Sequence, residues 1–473
     1  MSVNSLQRKI QHLYLRSGFG ASIKEINKSV QLPLSDTLKE IFSNSENYTE
    51  IDLEDKSELT FKNFRNNDRK EISKEEKQKF LKQSRENIRD LNIIWIDKMA
   101  EDKAQLRDKM TLFWHGHFAC RTPVANFAMK QNNTLRKNAL GKFGDLLMEI
   151  SKDPAMLQFL NNQQNKKSSP NENFARELLE LFSIGRGNYT EKDIKEAARA
   201  FTGWGFNRKG EFQFRKRLHD YDEKIFSGKR GDLSGEDIIQ IILENKKTSD
   251  FITEKIYCYF VNDKINKERV KLLSKEFYES EYDINKLMKQ IFSADWFYDN
   301  ENIGEKIKSP VELIVSIKRN FRTEFDNPLP LINLQKELGQ ILFNPPNVAG
   351  WSGGRNWIDT SSLMYRMNLG EIAIQSAENN STDNLNQEKN QLLNMNKLFK
   401  NLHLHSDLTE FKAGFFKYSN AEIPYKLIEY LLQKDPGEET LSIVKKYSDD
   451  SDKDKFIESL TLRIVSLPEY QIC

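Results

Sequence analysis

Three stretches of the sequence space polar side chains in ways that could do chemistry. In the first, Glu172, Arg176 and Glu180 recur every four residues, Asn173 and Glu177 make a neighbouring row, and Asn171 stands just ahead. On a helix, carboxylates one turn apart could hold a divalent metal or divide acid and base duties. Glu177 and Glu172 are the candidate base or acid, and Glu180 is a candidate metal ligand. Arg176, Asn171 and Asn173 are candidate groups for a substrate, the guanidinium suiting an anionic one. The competing outcome is a solvated face of ion pairs, each worth about 0.3 kcal/mol.

The second stretch is LFWHGHF, where His115 and His117 sit among Leu112, Phe113, Trp114 and Phe118. On an extended segment both imidazoles would point to one face, as a metal pair does. On a helix they would diverge by about 200°. The pattern predicts a helix continuing to Trp114 and broken at Gly116. The third stretch is His219-Asp220, followed by Lys224. A His beside an Asp in a loop suits catalysis or ligation, and equally suits a turn. Arg355 and Asn347 are the polar groups of a Pro/Gly/Trp-rich loop at 344–358, long and irregular as functional loops often are.

These residues need elements to position them. Ser169, Pro170 and Glu172 read as N-cap, N1 and N3 of a helix running from Pro170 to Ile184, with Gly185 beyond its end. Thr190 and Asp193 open a second helix with Ile194, Ala197, Ala198 and Phe201 on its buried face. Asn161, Asn162 and Asn165 read as the fraying end of the helix that Asp153-Pro154 begins. Phe212 and Phe214 alternate beyond a turn at Asn207–Gly210, which predicts a β-hairpin near 205–216. The expected fold is mainly α: a single large multi-helix domain with that one hairpin and the 344–358 loop. Residues 1–369 form the expected body, 370–450 a polar and partly flexible segment, and 451–473 a helix packing back on the body.

Composition narrows the class. The 473 residues carry 72 Lys plus Arg against 70 Asp plus Glu, so no net field favours nucleic acid. No apolar run approaches the roughly 18 residues of a membrane span. Cys120, Cys258 and Cys473 match neither zinc spacing nor a disulfide framework. MSVNSLQRKIQHLYLRSGFG lacks the apolar core of a signal peptide, so the expected compartment is cytoplasmic, with co-export beside a partner as the other route.

Taken together, His12–Gly20, LFWHGHF, DPAMLQFLNNQQN, PNENFARELLELFSIGRGNYTEKDIKEAARAFTGW, HDYDEK, IKSPVELIVS, LGQILFNPPNVAGW and SLPEYQ resemble the bacterial domain of unknown function 1800. The resemblance implies no settled activity. It does imply a partner, since members often sit beside a protein of the domain of unknown function 1501, similar to the alkaline-phosphatase and sulfatase fold. Many members resemble exported proteins, and this N-terminus departs from them. The signature cores contain His115, His117, Asn171, Glu172, Asn173, Arg176, Glu177, Glu180, His219, Asp220, Lys224 and Trp351. Two functions follow as expectations. One is a metal-assisted hydrolase with a His/Glu/Asp pocket for a polar or anionic substrate. The other is a non-catalytic accessory protein bound to the phosphatase-like partner.

Overall fold

A computed structural model describes residues 5–53, 73–207, 209–325, 327, 329–378, 402 and 404–473. The chain is mainly helical. It opens with α1 (Ser5–Ser17), α2 (Ile23–Ser29) and α3 (Leu34–Asn44), then the long α4 (Lys74–Glu101) and α5 (Gln105–His117). Next come α6 (Ala125–Asn138), α7 (Phe143–Ser151), α8 (Pro154–Phe159) and α9 (Asn173–Glu177), and α9 runs directly into a π-helical segment, Leu178–Ser183. After α10 (Glu191–Ala200), two strand pairs follow, β1 (Trp204–Phe206) with β2 (Phe212–Phe214) and β3 (Lys224–Phe226) with β4 (Lys229–Gly231). Helices α11 (Gly235–Glu244), α12 (Lys246–Phe260), α13 (Lys267–Glu279), α14 (Ile284–Ser293) and α15 (Pro310–Phe321) lead to strand β5 (Thr323–Phe325). The chain ends through α16 (Leu329–Leu338), α17 (Thr360–Glu378), β6 (Leu404–Ser406), α18 (Thr409–Ala413), α19 (Ile423–Leu431), α20 (Glu438–Lys446) and α21 (Lys453–Val465).

The expected hairpin is present at 204–214, in register Trp204 with Phe214. Two further antiparallel pairs were not legible, β3–β4 and β5–β6. Each strand is three residues long, too short to carry an alternating pattern, and β6 joins β5 from about eighty residues away.

Two apolar cores divide the molecule. The first is built from α5 to α14 and includes Trp114, Phe143, Phe182, Ile194, Trp204 and Phe260. The second joins α4 and α15 to the C-terminal helices, through Trp95, Ile314, Phe321, Leu427, Ile457 and Ile464. Helices α1 and α5 serve both. Leu13 belongs to the first core and Ile10 to the second, and likewise Met110 and Leu112. Every residue of α5 from Gln105 to His115 is buried, so this helix is the seam of the fold.

A chain of asparagines fixes the signature hairpin onto α8. Asn162 and Asn165 are fully buried rather than frayed. The Asn162 amide donates to the carbonyls of Phe201 and Trp204, and the Asn165 amide to that of Ala198. Asn165 Oδ1 in turn accepts the Asn171 N–H at 2.9 Å. Asn161 makes the turn in left-handed backbone (φ 58°), which a short amide side chain tolerates. Buried amides need partners, and here backbone groups between elements supply them.

Candidate functional site

The first nominated helix departs from its expected form. Ser169 does not cap it; helix α9 starts at Asn173, where Asn171 Oδ1 accepts the Asn173 N–H at 3.0 Å. The helix then widens into the π turn over 178–183, and the Ile184 and Gly185 N–H groups both reach the Leu179 carbonyl. Such π segments cluster at functional sites. The second helix keeps the expected cap, with Thr190 and Asp193 bonded reciprocally.

The polar row on this hairpin is largely paired within itself. Arg176 donates to both oxygens of Glu191 (2.9 and 2.8 Å) and to Glu172 at 3.1 Å. Its guanidinium is therefore an internal tie and not an open anchor. Glu180 pairs with Arg186 and accepts the Tyr189 hydroxyl at 3.0 Å. The Asn173 amide donates to the Leu160 carbonyl. Glu177 differs from all of these. It is half-buried and makes no hydrogen bond or ion pair among the described residues. Burial, then the nearby Glu180 charge, hold its carboxyl above the usual value against Arg176 and Arg186.

The His-Gly-His pair is helical. Helix α5 continues through His117, beyond the expected stop at Trp114, since Gly116 keeps out of the left-handed region and imposes no break. The imidazoles consequently diverge into different cores. His115 Nε2 accepts the Phe343 N–H at 3.1 Å, with Trp95, Phe343 and Trp351 around the ring at 5.0–5.5 Å. His117 Nε2 lies 3.0 Å from the Phe182 carbonyl, to which it must donate. The two rings thus need opposite tautomers: Nδ1–H on His115 and Nε2–H on His117. Burial drives both far down, to about 3. His115 ties the 344–358 loop to α5, and His117 ties the π turn to it. With Glu180 engaged by Arg186 and Tyr189, the expected ligand set of His115, His117 and Glu180 does not assemble. Among the described residues, no three His, Cys, Asp or Glu side chains gather as a metal requires.

His219 and Asp220 are neighbours whose side chains part company. His219 is buried, and its Nδ1 donates to the Thr202 carbonyl at 2.8 Å. Asp220 instead grips Arg199 at 2.8 and 3.3 Å, which keeps its carboxylate below the ordinary range against the upward push of burial. The Asp220 N–H also donates to Thr202 Oγ1. The pair is therefore a clamp between α10 and the loop before β3. Lys224 is fully buried, donating to the Asp222 carbonyl and to Asp232 at 3.1 Å each. Arg355 is exposed on a short 3-10 turn, Gly354–Trp357.

The comparisons with known proteins bear on this arrangement. A family model described as a protein of unknown function, DUF1800, matches residues 12–472. The chain belongs to the DUF1800 family. No curated protein and no solved structure matches it. The DUF1800 match embraces both cores, and with them a charged group at their seam that the motif reading passed over. Arg16 on α1, Lys109 on α5, Lys308 just ahead of α15 and Arg366 on α17 are all deeply buried, and Glu312 in the first turn of α15, paired with Lys109, is 12 % exposed. One signal was available for Arg16: it lies three residues beyond Leu13 and six beyond Ile10, on the face of α1 that packs inward.

Proposed function

We propose that this DUF1800 chain is a binding protein whose signature hairpin is an ordered, charged frame for a protein partner. One observation supports this reading above the others. Arg176, His115, His117, His219, Asp220 and Lys224 are each engaged by groups of the same chain. A metal-assisted hydrolase needs imidazole lone pairs and carboxylates turned toward one point. The hairpin instead presents charge outward, with Arg186 four-fifths exposed near Glu177 and with Glu191 exposed beside Arg176. The resemblance suggests the phosphatase- or sulfatase-like protein as the partner.

Co-expression with that protein, followed by gel filtration, tests the reading. A single co-eluting complex is expected, weakened at least tenfold by Glu177→Lys with Arg186→Glu while the melting temperature holds. Metal-dependent cleavage of an aryl phosphate, sulfate or acetate by the isolated chain, lost in folded His115→Ala, would overturn it.

A second reading rests on Glu177. A half-buried carboxyl with a raised pKa and no hydrogen-bond or ion-pair partner among the described residues, at an α-to-π junction, suits a general acid or base. That reading keeps the hydrolase without the metal. It requires an activity whose pH profile loses one limb in Glu177→Gln.

A further inference from the structure

We infer that a binding site for one fixed water molecule is built into the fold between α1, α15 and the last 3-10 turn, Pro468–Gln471, where the water ties Gln11, Ser316, Asn320 and Tyr470 together. Unmet polar groups point to it first. Gln11 Oε1, Ser316 Oγ, Asn320 Oδ1 and the Tyr470 hydroxyl are all buried, and none has a hydrogen-bond partner among the described residues. A buried polar atom without a partner is costly, and native interiors seldom leave several together. These four are together: their residues, with Gly20 and Lys308, line one cavity of about 20 Å³. A bound water needs about 10–15 Å³ and two to four polar partners, so the space and its walls suit a single molecule.

The oxygens converge on that space. Asn320 Oδ1 and Ser316 Oγ stand 3.6 and 3.8 Å from the point where a side chain on Gly20 would begin. Burial pushes the Tyr470 hydroxyl up to about 12, and its neighbours Asn320 and Ser316 pull it partly back without closing a hydrogen bond of ordinary geometry. Gln11 donates Nε2 to the Tyr430 carbonyl at 2.8 Å, which fixes the orientation of its amide and leaves Oε1 as the unpaired end. The balance of donors and acceptors then selects the ligand. The two amide oxygens only accept, so neither can satisfy the other, whereas the two hydroxyls can donate. Water gives two protons and accepts two, which matches the set. Lys308, which donates to the Tyr470 carbonyl at 2.8 Å, brings an ammonium to the wall and disfavours a metal ion. The amide oxygens disfavour an anion.

The site is independent of the signature hairpin and is tested on the whole chain. A crystal structure that resolves ordered solvent should show one water within about 3.2 Å of at least three of the four oxygens. In solution, oxygen-17 relaxation dispersion counts the waters a protein holds for longer than it takes to tumble. Ser316→Val replaces the hydroxyl by methyl groups that fill the cavity, so its count should fall by one at an unchanged circular dichroism spectrum. If Ser316→Val fails to fold, Asn320→Leu makes the same subtraction, and the crystal structure of the natural chain decides by itself. A direct bond from the Tyr470 hydroxyl to Asn320 or Ser316 with no solvent between them, an ion in the water's place, or an unchanged count in a folded variant overturns the proposal.

Discussion

At the residue scale, buried titratable groups make stability depend on pH in two opposing ways. His115 and His117 are held neutral in the fold, at about 3, whereas unfolded they titrate near 6.5. Their contribution is complete above pH 6.5 and is lost as pH falls toward 3, because the unfolded chain takes up protons first. Urea unfolding from pH 7 to pH 5 should therefore show falling stability. His117→Gln, whose amide can still donate to the Phe182 carbonyl, should flatten that slope; an unchanged slope would discount His117 as its source. Asp153 works the other way. It caps α8 through the Ala155 and Met156 N–H groups, yet burial outweighs those bonds and Lys130 and raises it to about 7. Stability from its neutral form is present below about pH 4 and fades as pH rises through 7. Asp153→Asn keeps a capping amide without the charge. It should raise the urea midpoint at pH 8 and leave it nearly unchanged at pH 4. Cys120, beside Asp153 and pushed well up by burial, has no part in that titration.

At the element scale, the sequence made helix starts and helix faces legible and left polar destinations hidden. Thr190 and Asp153 cap where spacing said they would, because a cap is a local bond between residues two or three apart. Asn162 and Asn165 were misread for the converse reason: their partners, Ala198, Phe201 and Trp204, lie more than thirty residues away. The π turn was equally hidden, since one extra residue per turn leaves the apolar stripe of Leu178, Leu179 and Phe182 intact. The 344–358 loop was correctly located but its anchor was not. Gly350 adopts φ +78°, and a side chain there would run into the backbone oxygen of Gly116. Backbone cannot step aside, so Gly350→Ala combines a left-handed strain of about 1 kcal/mol with a steric clash. The expected loss is about 2 kcal/mol or more in urea unfolding. Gly187→Ala, left-handed but with nothing near the new methyl, is the control and should lose only the strain.

At the scale of the whole molecule, the two cores are expected to fold as one unit because α1 and α5 belong to both. Helix α21 sits at the edge of the second core, where Ile457, Leu460, Ile464 and Val465 are buried against α17 and α19. Residues beyond it close the seam: the Ile472 backbone bridges to Ile307, and Gln471 receives a hydrogen bond from Arg366. Ile464→Ala should cost about 2–5 kcal/mol, the range for emptying a fully buried aliphatic site. If the shared helices couple the cores, that loss appears equally in every probe of structure. Near-ultraviolet dichroism, to which Trp114 and Trp204 of the first core contribute beside Trp95 of the second, should melt in one step at the same reduced midpoint as far-ultraviolet dichroism. Ending the chain before Lys453 is the stronger form of the experiment. It strips these four apolar residues and the seam partners of Arg366 and Lys308 together, so the first core should lose its fixed packing although none of its own residues has been removed. A protease-resistant fragment with the first core's near-ultraviolet spectrum intact would mean instead that α1 and α5 divide the molecule rather than join it.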